Sequence, residues 1–423
     1  MRALSGLPLL LTPVRTVRNP PMTGIISSLS ALLLSIAILL SGHGMQLTLA
    51  PLFADSLGWQ AETIGLIASA YFSGFVVGCL SVPRLVANAG HIRVFIVLIC
   101  LAVSALLMLG IFQNPWIWAL ARGITGWAFA GLYMVMESWL NERSGKEHRG
   151  RILSIYTIIS LAAICAGQFL AAFDAPYQTL IMLGAILMAL GALPVGLTRS
   201  PMPSPIPLVK FRMTEVYKAS HVAVAGTFVG GLVTAGFWSL GPVVARAQGL
   251  NGEQISLFMA STILGGTLLQ FPLGRLSDTV DRRWVLILVS VLGSVVCGLS
   301  FWLSDGTPAT TYVLMFFFGG VTFPFYTLCL AHANDNTDLG LMEIASVMLL
   351  MNSAGSILGP ILVALSLNYS DSGLFLISGI VLALFACWTV WRISTHRVDR
   401  THFEPYVSIP RTSHEVAELA NPD

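Results

Sequence analysis

Charged residues are scarce in this sequence. Of its 423 residues only 10% are charged and 55% are hydrophobic, whereas an ordinary soluble protein has roughly 25% charged and 45 to 50% apolar residues. The composition therefore excludes a soluble globular protein. The 22 Lys and Arg residues nearly balance the 20 Asp and Glu residues, which excludes a basic nucleic-acid-binding protein and an acidic disordered chain. With a mean hydropathy of +0.80, the chain is predicted to lie in a lipid bilayer.

Motifs for metal binding and catalysis are also missing. The sequence has no H-E-x-x-H, no Walker loop, no G-x-S-x-G and no dinucleotide fingerprint. We predict that the protein is not an enzyme and has no cofactor or metal. Asp335, Asp338 and Glu343 do not match a calcium loop, and we interpret them as solvated loop acids and helix caps. The six cysteines lie in apolar runs without C-x-x-C spacing, which predicts small buried side chains rather than disulfides.

Long apolar runs are abundant. They predict an all-α integral membrane protein with twelve transmembrane helices of about 20 residues each, centred near Ser35, Ser73, Ser104, Gly126, Ser160, Leu187, Gly231, Gly265, Leu292, Phe317, Leu350 and Val381. We predict an N-terminal extension at 1–24, a six-helix bundle at 25–198, a linker at 199–220, a second six-helix bundle at 221–392 and a tail at 393–423. The extension lacks a cleavage site and does not resemble a signal peptide, and Met22 is an alternative start.

Basic residues are distributed unequally between the two sides of the predicted bundle. Twenty of the 22 Lys and Arg residues fall in the two termini and the even-numbered loops, and the remaining two are Arg122 in span four and Arg246 in an odd-numbered loop. Because loops rich in Lys and Arg stay in the cytoplasm, we predict that both termini are cytoplasmic. We expect a multi-pass protein of a bacterial inner (plasma) membrane.

The sequence repeats itself at a spacing of 191 or 192 residues. At 191 residues Pro51 aligns with Pro242, Gly58 with Gly249, Glu62 with Glu253 and Gly74 with Gly265; at 192 residues Gly167 aligns with Gly359. The two halves therefore share one ancestry. This duplication is typical of transporters whose halves rock around a site at the midplane.

Two motifs resemble a known family. The segment 274–283, GRLSDTVDRR, resembles the G-x-L-x-D-x-x-G-R-R loop of the major facilitator superfamily (MFS), and 122–126, RGITG, resembles its R-x-x-x-G element. The segments 137–141 (ESWLN), 90–93 (GHIR) and 331–335 (AHAND) resemble the YcaD-like bacterial branch. The resemblance implies two pseudo-symmetric six-helix bundles and alternating access. The first-half copy of the loop has Ala87 where the second half has Asp278, and span five lacks the Gly-Pro element of drug antiporters.

Three polar residues lie deep in the first bundle. Arg122 is seven residues inside Pro115 and His43 is seven residues from Ala50, which places each about 10 Å below the outer surface. Gln46 lies on the same helix face as His43. We predict that these residues line a central substrate cavity, because intramembrane charges face a partner or water. A structural arginine bonded to carbonyls or to Gln46, and a buried histidine satisfied by a neighbouring helix, are the alternatives.

The second bundle offers weaker cavity candidates. These are polar or aromatic side chains inside spans, where an unsatisfied polar group is costly, namely Trp238, Gln270, Tyr326 and Asn352. Any one of them is also explained as a contact between helices.

A second group is predicted to act in gating. Glu137 lies at the cytoplasmic end of span four and could join Arg149 and Arg151, which begin span five, in a charge cluster that forms in one access state. The alternative is a helix-end acid without a switching role. By resemblance the gating loop of the second half contributes Gly274, Asp278, Arg282 and Arg283.

The predicted function is secondary or facilitative transport of a small solute. Arg122 modestly favours an anionic or zwitterionic solute, and coupling to protons through His43 or uniport both stay open. The alternatives are efflux of amphipathic compounds and, from another class, a membrane receptor that keeps the same fold. The expected partners are the solute and the lipid bilayer, without nucleic acid, and we expect a monomer.

Overall fold

The computed structural model describes residues 22–144, 148–197, 212–303, 307–337, 339–395 and 412–413, with side chains from Leu29 onward. These residues form fifteen helices and no strand. Their bounds are α1 Met22–Ser56, α2 Ala61–Ala89, α3 His91–Ile111, α4 Pro115–Ser144, α5 Arg149–Leu170, α6 Tyr177–Leu190, α7 Ala192–Gly196, α8 Met213–Ala219, α9 His221–Ala247, α10 Gly252–Thr279, α11 Arg282–Trp302, α12 Pro308–Thr322, α13 Pro324–Asn334, α14 Leu341–Leu367 and α15 Gly373–Thr395.

All twelve predicted spans correspond to helices of the structure. Helices α6 and α7 together make the sixth span and α12 and α13 the tenth. The short α8 precedes α9 in the chain and packs against α9 and α14. Eleven spans are long and apolar enough to cross a membrane by composition. Helix α4 is the twelfth, with 30 residues. It can carry Arg122 and Glu137 because protein surrounds it: every side chain from Ala128 to Asn141 is buried.

The repeat is visible in the backbone. Gly58 follows α1 with φ 75° and Gly249 follows α9 with φ 84°, and these two glycines are 191 residues apart. A positive φ is accessible to glycine without steric cost, so the same residue makes the same turn after the first helix of each bundle. Pro51 and Pro242, also 191 residues apart, lie inside α1 and α9.

Small residues set the closest helix contacts in each bundle. A Cβ built on Gly126 of α4 would lie 1.9 Å from the carbonyl oxygen of Tyr71 in α2, and one on Gly319 of α12 would lie 1.9 Å from that of Thr262 in α10. Glycine is therefore required at both crossings, as is common between membrane helices. Helix pairs α1 with α5 and α9 with α14 pack closely in the same manner, through Gly167 and Gly355.

The two bundles meet mainly through α2 against α14 and α5 against α10. We call the end of the molecule where α1 and α9 finish the Asp55 end. The opposite end, where α4 and α15 finish, is called the Glu137 end.

Candidate functional site

A cavity of about 270 Å³ lies between the two bundles. Side chains of α1, α2, α4 and α5 form one wall. Side chains of α9, α10, α13 and α14, with Phe323 between α12 and α13, form the other. Its aromatic lining comprises Tyr71, Phe72, Phe75, Tyr133, Trp238, Phe323 and Tyr326. The volume is slightly below the usual range for small-molecule sites, about 300 to 1,000 Å³.

The cavity brings together most of the predicted substrate residues. The sequence candidates in its lining are His43, Trp238, Gln270, Tyr326 and Asn352. Gln46 lies outside the lining and is 1% exposed. Arg122 also lies outside it, in a small adjoining pocket of about 20 Å³ that Trp238 shares. Trp238 of the second bundle thus borders both the main cavity and the small pocket that contains Arg122 of the first bundle.

Arg122 is held against an aromatic wall rather than against a carboxylate. Its guanidinium carbon lies 4.7 Å from the centre of the Tyr71 ring, within the range of a cation–π contact. His43 stacks on Phe129 at 3.8 Å between ring centres and lies 6.2 Å from Tyr71. Tyr71 therefore touches the cavity on one side and lies near both Arg122 and His43, which are contributed by α4 and α1.

Several polar atoms of this group are buried with unused hydrogen-bonding capacity. Within the described residues, Nη1 of Arg122, Nδ1 of His43 and both amide atoms of Gln46 have no hydrogen-bond partner. The same holds for Oδ1 of Asn352 on the opposite wall. Because buried polar atoms are nearly always paired, these positions are suited to donate to or accept from a small polar molecule.

Glu137 forms a second polar site closer to the Glu137 end. Its side chain is fully buried and accepts a hydrogen bond of 2.7 Å from the hydroxyl of Tyr156 in α5. The hydroxyls of Thr412 and Ser413, two residues of the C-terminal tail, also donate to its carboxylate. Sequence reasoning named Glu137 but missed these donors, because no pattern in the sequence connects the tail with span four.

The other two predicted gating residues of the first bundle are Arg149 and Arg151. Arg149 is half-buried, whereas Arg151 is exposed. Arg149 is the first residue of α5. Glu137 is contacted from α5 by Tyr156, two turns further into that helix.

The predicted gating loop of the second bundle forms a compact charge cluster. Arg282 is fully buried and contacts Asp335 at 2.6 Å and Asp278 at 3.7 Å. It also donates to Ser277, whose hydroxyl donates to the carbonyl of Gly274. Arg283 pairs with Asp281 at 2.9 Å. The interpretation of Asp335 as a solvated loop acid was wrong, because its side chain is 8% exposed and bonded to Arg282; Asp338 lies outside the described residues.

An ion pair that the sequence did not reveal joins the two bundles at the Asp55 end. Arg246 of α9 contacts Asp55 of α1 at 3.3 Å and the carbonyl of Leu52 at 3.1 Å. It also donates to the hydroxyl of Tyr177 in α6. Arg246 was visible in the sequence as an isolated base in an odd-numbered loop. Its position, 191 residues after Asp55, shows that the pair joins equivalent points of the two bundles.

Further hydrogen bonds cross between the bundles towards the same end. Ser256 of α10 donates to the carbonyl of Gln168 in α5, and Ser69 of α2 donates to that of Ile357 in α14, both at 2.7 Å. Asn368 donates to Glu62. The bundles are thus joined at several points between the cavity and the Asp55 end.

Among the described residues, no group of three or more His, Cys, Asp and Glu side chains could hold a metal ion. The described features combine contacts between the bundles at the Asp55 end, a cavity with walls from both bundles, and a buried acid near the other end.

Comparison with known proteins gives matches over nearly the whole chain. The profile of the Major Facilitator Superfamily matches residues 32–219 and 223–416. The MFS-type transporter YcaD of Salmonella arizonae is 28% identical over 338 residues, which cover 78% of this chain and 86% of the relative. YcaD of Salmonella typhi is 27% identical over 373 residues, covering 85% of this chain and 93% of the relative.

Solved structures show the same fold at low sequence identity. A bacterial homolog of the human lysosomal transporter Spinster, in an inward-facing and occupied conformation, has a TM-score of 0.73 at 13% identity and covers 91% of this chain and 100% of its own. The nucleoside transporter NupG has a TM-score of 0.69 at 14% identity, covering 86% of this chain and 97% of its own. The predicted arrangement of two six-helix bundles is thereby confirmed.

Proposed function

We propose, from the premise that this chain belongs to the Major Facilitator Superfamily, that it moves a small solute across the membrane by alternating access of its two bundles. Membership makes the chain a transporter rather than an enzyme. The observation that carries the proposal is the cavity of about 270 Å³ with walls from both bundles. In such a transporter the solute binds at the interface of the halves, which then rock around it.

The orientation we propose follows the distribution of basic residues. Among the described residues, the Lys and Arg side chains outside the spans lie at the Glu137 end, with Arg246 as the exception. This distribution supports a cytoplasmic location for the Glu137 end. The contacts at the Asp55 end, among them Arg246 with Asp55, then close the outer side. The described arrangement would be an inward-facing state of an inner-membrane protein.

The solute we propose is small and carries a hydrogen-bonding, preferably anionic or zwitterionic, group. Arg122 and His43 supply buried polar atoms beside the cavity, and Asn352 supplies an acceptor on the opposite wall. A charged group of the solute would approach Arg122 past the Tyr71 ring. The gain would be large because the site has a low dielectric constant.

Efflux of amphipathic compounds is the second candidate. The observation in its favour is the aromatic lining of the cavity, which includes Phe72, Phe75, Trp238 and Phe323. Aromatic walls suit apolar bodies as well as planar polar solutes. The two candidates differ in whether affinity depends on Arg122.

The test is a thermal-shift screen of the purified protein at pH 6 and pH 8 against amino acids, carboxylates, nucleosides and amphipathic cations. A compound that binds the folded state raises its apparent stability by mass action. We expect an anionic or zwitterionic compound to stabilise the wild type and not Arg122→Ala. The control is Arg93→Ala, which removes an exposed arginine and should keep the shift.

The outcomes separate the candidates. Stabilisation by amphipathic cations that survives Arg122→Ala would favour efflux and contradict the proposed solute class. A shift that depends on pH and is lost in His43→Gln would support proton coupling through His43. A shift that is the same at both pH values would support uniport.

A further inference from the structure

The C-terminal tail contacts the buried acid of the first bundle. Ser413 is 1% exposed and donates its hydroxyl to one carboxylate oxygen of Glu137, and Thr412 donates to the other. Tyr156 donates to the same oxygen as Thr412. Two residues that are 275 and 276 positions away in sequence thus complete the hydrogen bonding of a side chain in α4.

The same two tail residues lie where the cavity approaches the Glu137 end. Thr412 is part of the cavity lining. Tyr133, also in the lining, precedes Glu137 by one helical turn, or about 6 Å along α4. Thr412, when it is hydrogen-bonded to Glu137 (the seated position), therefore occupies the part of the cavity nearest the Glu137 end.

A buried carboxylate provides a strong reason for such a contact. Burial of a charge is costly unless donors replace the water that it loses. Hydrogen bonds to an ionised acceptor are about twice as strong as those between neutral groups. The neighbouring hydroxyls of Thr412 and Ser413 supply two such donors. Tyr156 supplies another from α5.

We propose that Glu137 and Tyr156 form a binding site for paired hydroxyl groups, that Thr412 and Ser413 of the tail occupy it, and that the seated tail obstructs the cavity at the Glu137 end. A solute that enters from this end would have to displace the tail. A hydroxyl-bearing solute could replace the tail hydroxyls on Glu137. The functional consequence rests on the proposed transport function, but the contact itself does not.

The seated tail is tested by the accessibility of single cysteines in the full-length chain. In a variant lacking the six native cysteines, Ser413→Cys is labelled with a fluorescent maleimide. The matched control is Ser394→Cys, at the exposed end of α15. We expect labelling of Ser413→Cys to be about tenfold slower than that of the control, since a buried thiol reacts only when the segment opens. The thiol of Ser413→Cys is a weaker donor than the hydroxyl it replaces. Equal rates therefore overturn the proposal when Thr157→Cys in a chain that keeps Ser413, described below, is also modified at one rate with and without the tail hydroxyls.

The role of Glu137 is tested by adding Glu137→Gln and Glu137→Ala to both cysteine variants. Loss of the carboxylate acceptor should raise the rate of Ser413→Cys towards that of Ser394→Cys and leave the control unchanged. Gln keeps the size of the side chain and guards against a folding defect in the Ala variant. A slow rate of Ser413→Cys in both backgrounds would show that Glu137 does not hold the tail.

The obstruction is tested at the cavity itself. Thr157→Cys places a thiol in the lining, and a small anionic methanethiosulfonate probes it. Adding Thr412→Ala and Ser413→Ala should accelerate its modification about threefold or more, because the seated population falls. An unchanged rate would refute the obstruction. This result is separate from the thermal-shift screen, so a failed tail proposal and a failed transport proposal are distinguishable.

Discussion

Arg282 is a fully buried cation between two carboxylates of unequal exposure. Asp335 approaches it at 2.6 Å and is 8% exposed, whereas Asp278 approaches at 3.7 Å and is 35% exposed. Removing one partner of a buried pair leaves an uncompensated charge and costs about 3 to 5 kcal/mol, whereas exposed pairs contribute about 1 kcal/mol or less. Asp335 is therefore the more important partner for stability.

Asp335→Asn should destabilise the folded protein more than Asp278→Asn. We expect a loss of about 3 kcal/mol for Asp335→Asn and a much smaller loss for Asp278→Asn, because water solvates Asp278. The midpoints of thermal unfolding in one detergent give the comparison. Equal midpoints for the two variants would contradict the assignment of Asp335 as the principal partner.

For individual residues, the sequence identified which charged side chains form the site but not which side chains they contact. The motif at 274–283 identified Arg282 and Asp278, which are four residues apart. Asp335 is 53 residues from Arg282, and its contact depends on how α13 packs against α11. The donors to Glu137 were missed for the same reason, since Ser413 is 276 residues away from it.

Helix α4 lies so close to α2 that a methyl group has no room at the crossing. A Cβ on Gly126 would meet the Tyr71 carbonyl at 1.9 Å, and Tyr71 in turn contacts Arg122 and borders the cavity. The crossing therefore sets both the stability of the first bundle and the position of the Tyr71 ring. Backbone atoms, unlike a flexible side chain, cannot turn away from the clash.

Gly126→Ala should destabilise the protein by about 1 to 3 kcal/mol, the usual effect of overpacking. Gly298→Ala in α11 is the matched control, because a Cβ there meets nothing within 4 Å and alanine favours the helix. Thermal unfolding in detergent measures both. A loss in Gly298→Ala as large as that in Gly126→Ala would show that the close crossing is not the cause.

The helices themselves could be predicted well from composition. Every predicted span centre falls inside a helix, because the bilayer requires long apolar segments with internally satisfied backbones. The interruptions were not predicted: the sixth span is divided at Gly191 and the tenth at Phe323. Pro324 begins α13, and a proline removes the hydrogen bond that would have continued α12, but proline is also tolerated in α2 and α10.

For the whole molecule, the balance between access states depends on contacts that one state makes and the other breaks. Arg246 bridges Asp55, Leu52 and Tyr177 across the bundle interface. The two charged side chains are about one-third exposed, at 34% and 33%, so the pair contributes about 1 kcal/mol or less. That is enough to change the ratio of two states by about fivefold.

Arg246→Ala should increase the population in which the Asp55 end is open. Spin labels at Ser56→Cys and Ala247→Cys, one in each bundle and both exposed, report their separation by double electron–electron resonance. We expect a longer-distance component that grows about fivefold in Arg246→Ala and not in Arg275→Ala, an exposed arginine at the opposite end. Identical distance distributions in wild type and Arg246→Ala would rule out a closing role for the pair.

The two-bundle architecture could be predicted because the sequence repeats at a spacing of 191 or 192 residues. The sequence did not predict which access state the protein adopts. An access state depends on small differences between contacts such as those of Arg246, which apolar patterning does not encode. The cavity candidates from the sequence were chosen by depth and polarity. Those criteria selected His43, Trp238 and Asn352, which line the cavity, and also Gln46, which is enclosed by protein.

The ion pair between Asp55 and Arg246 also constrains how the chain evolved. The two residues occupy equivalent positions of the repeat, so immediately after the duplication both positions held the same residue. Two identical residues would then have faced each other across the pseudo-twofold axis, and two identical residues cannot form an ion pair. The attraction that now closes this end required at least one of the two positions to change, and from that substitution onward the two bundles were no longer interchangeable.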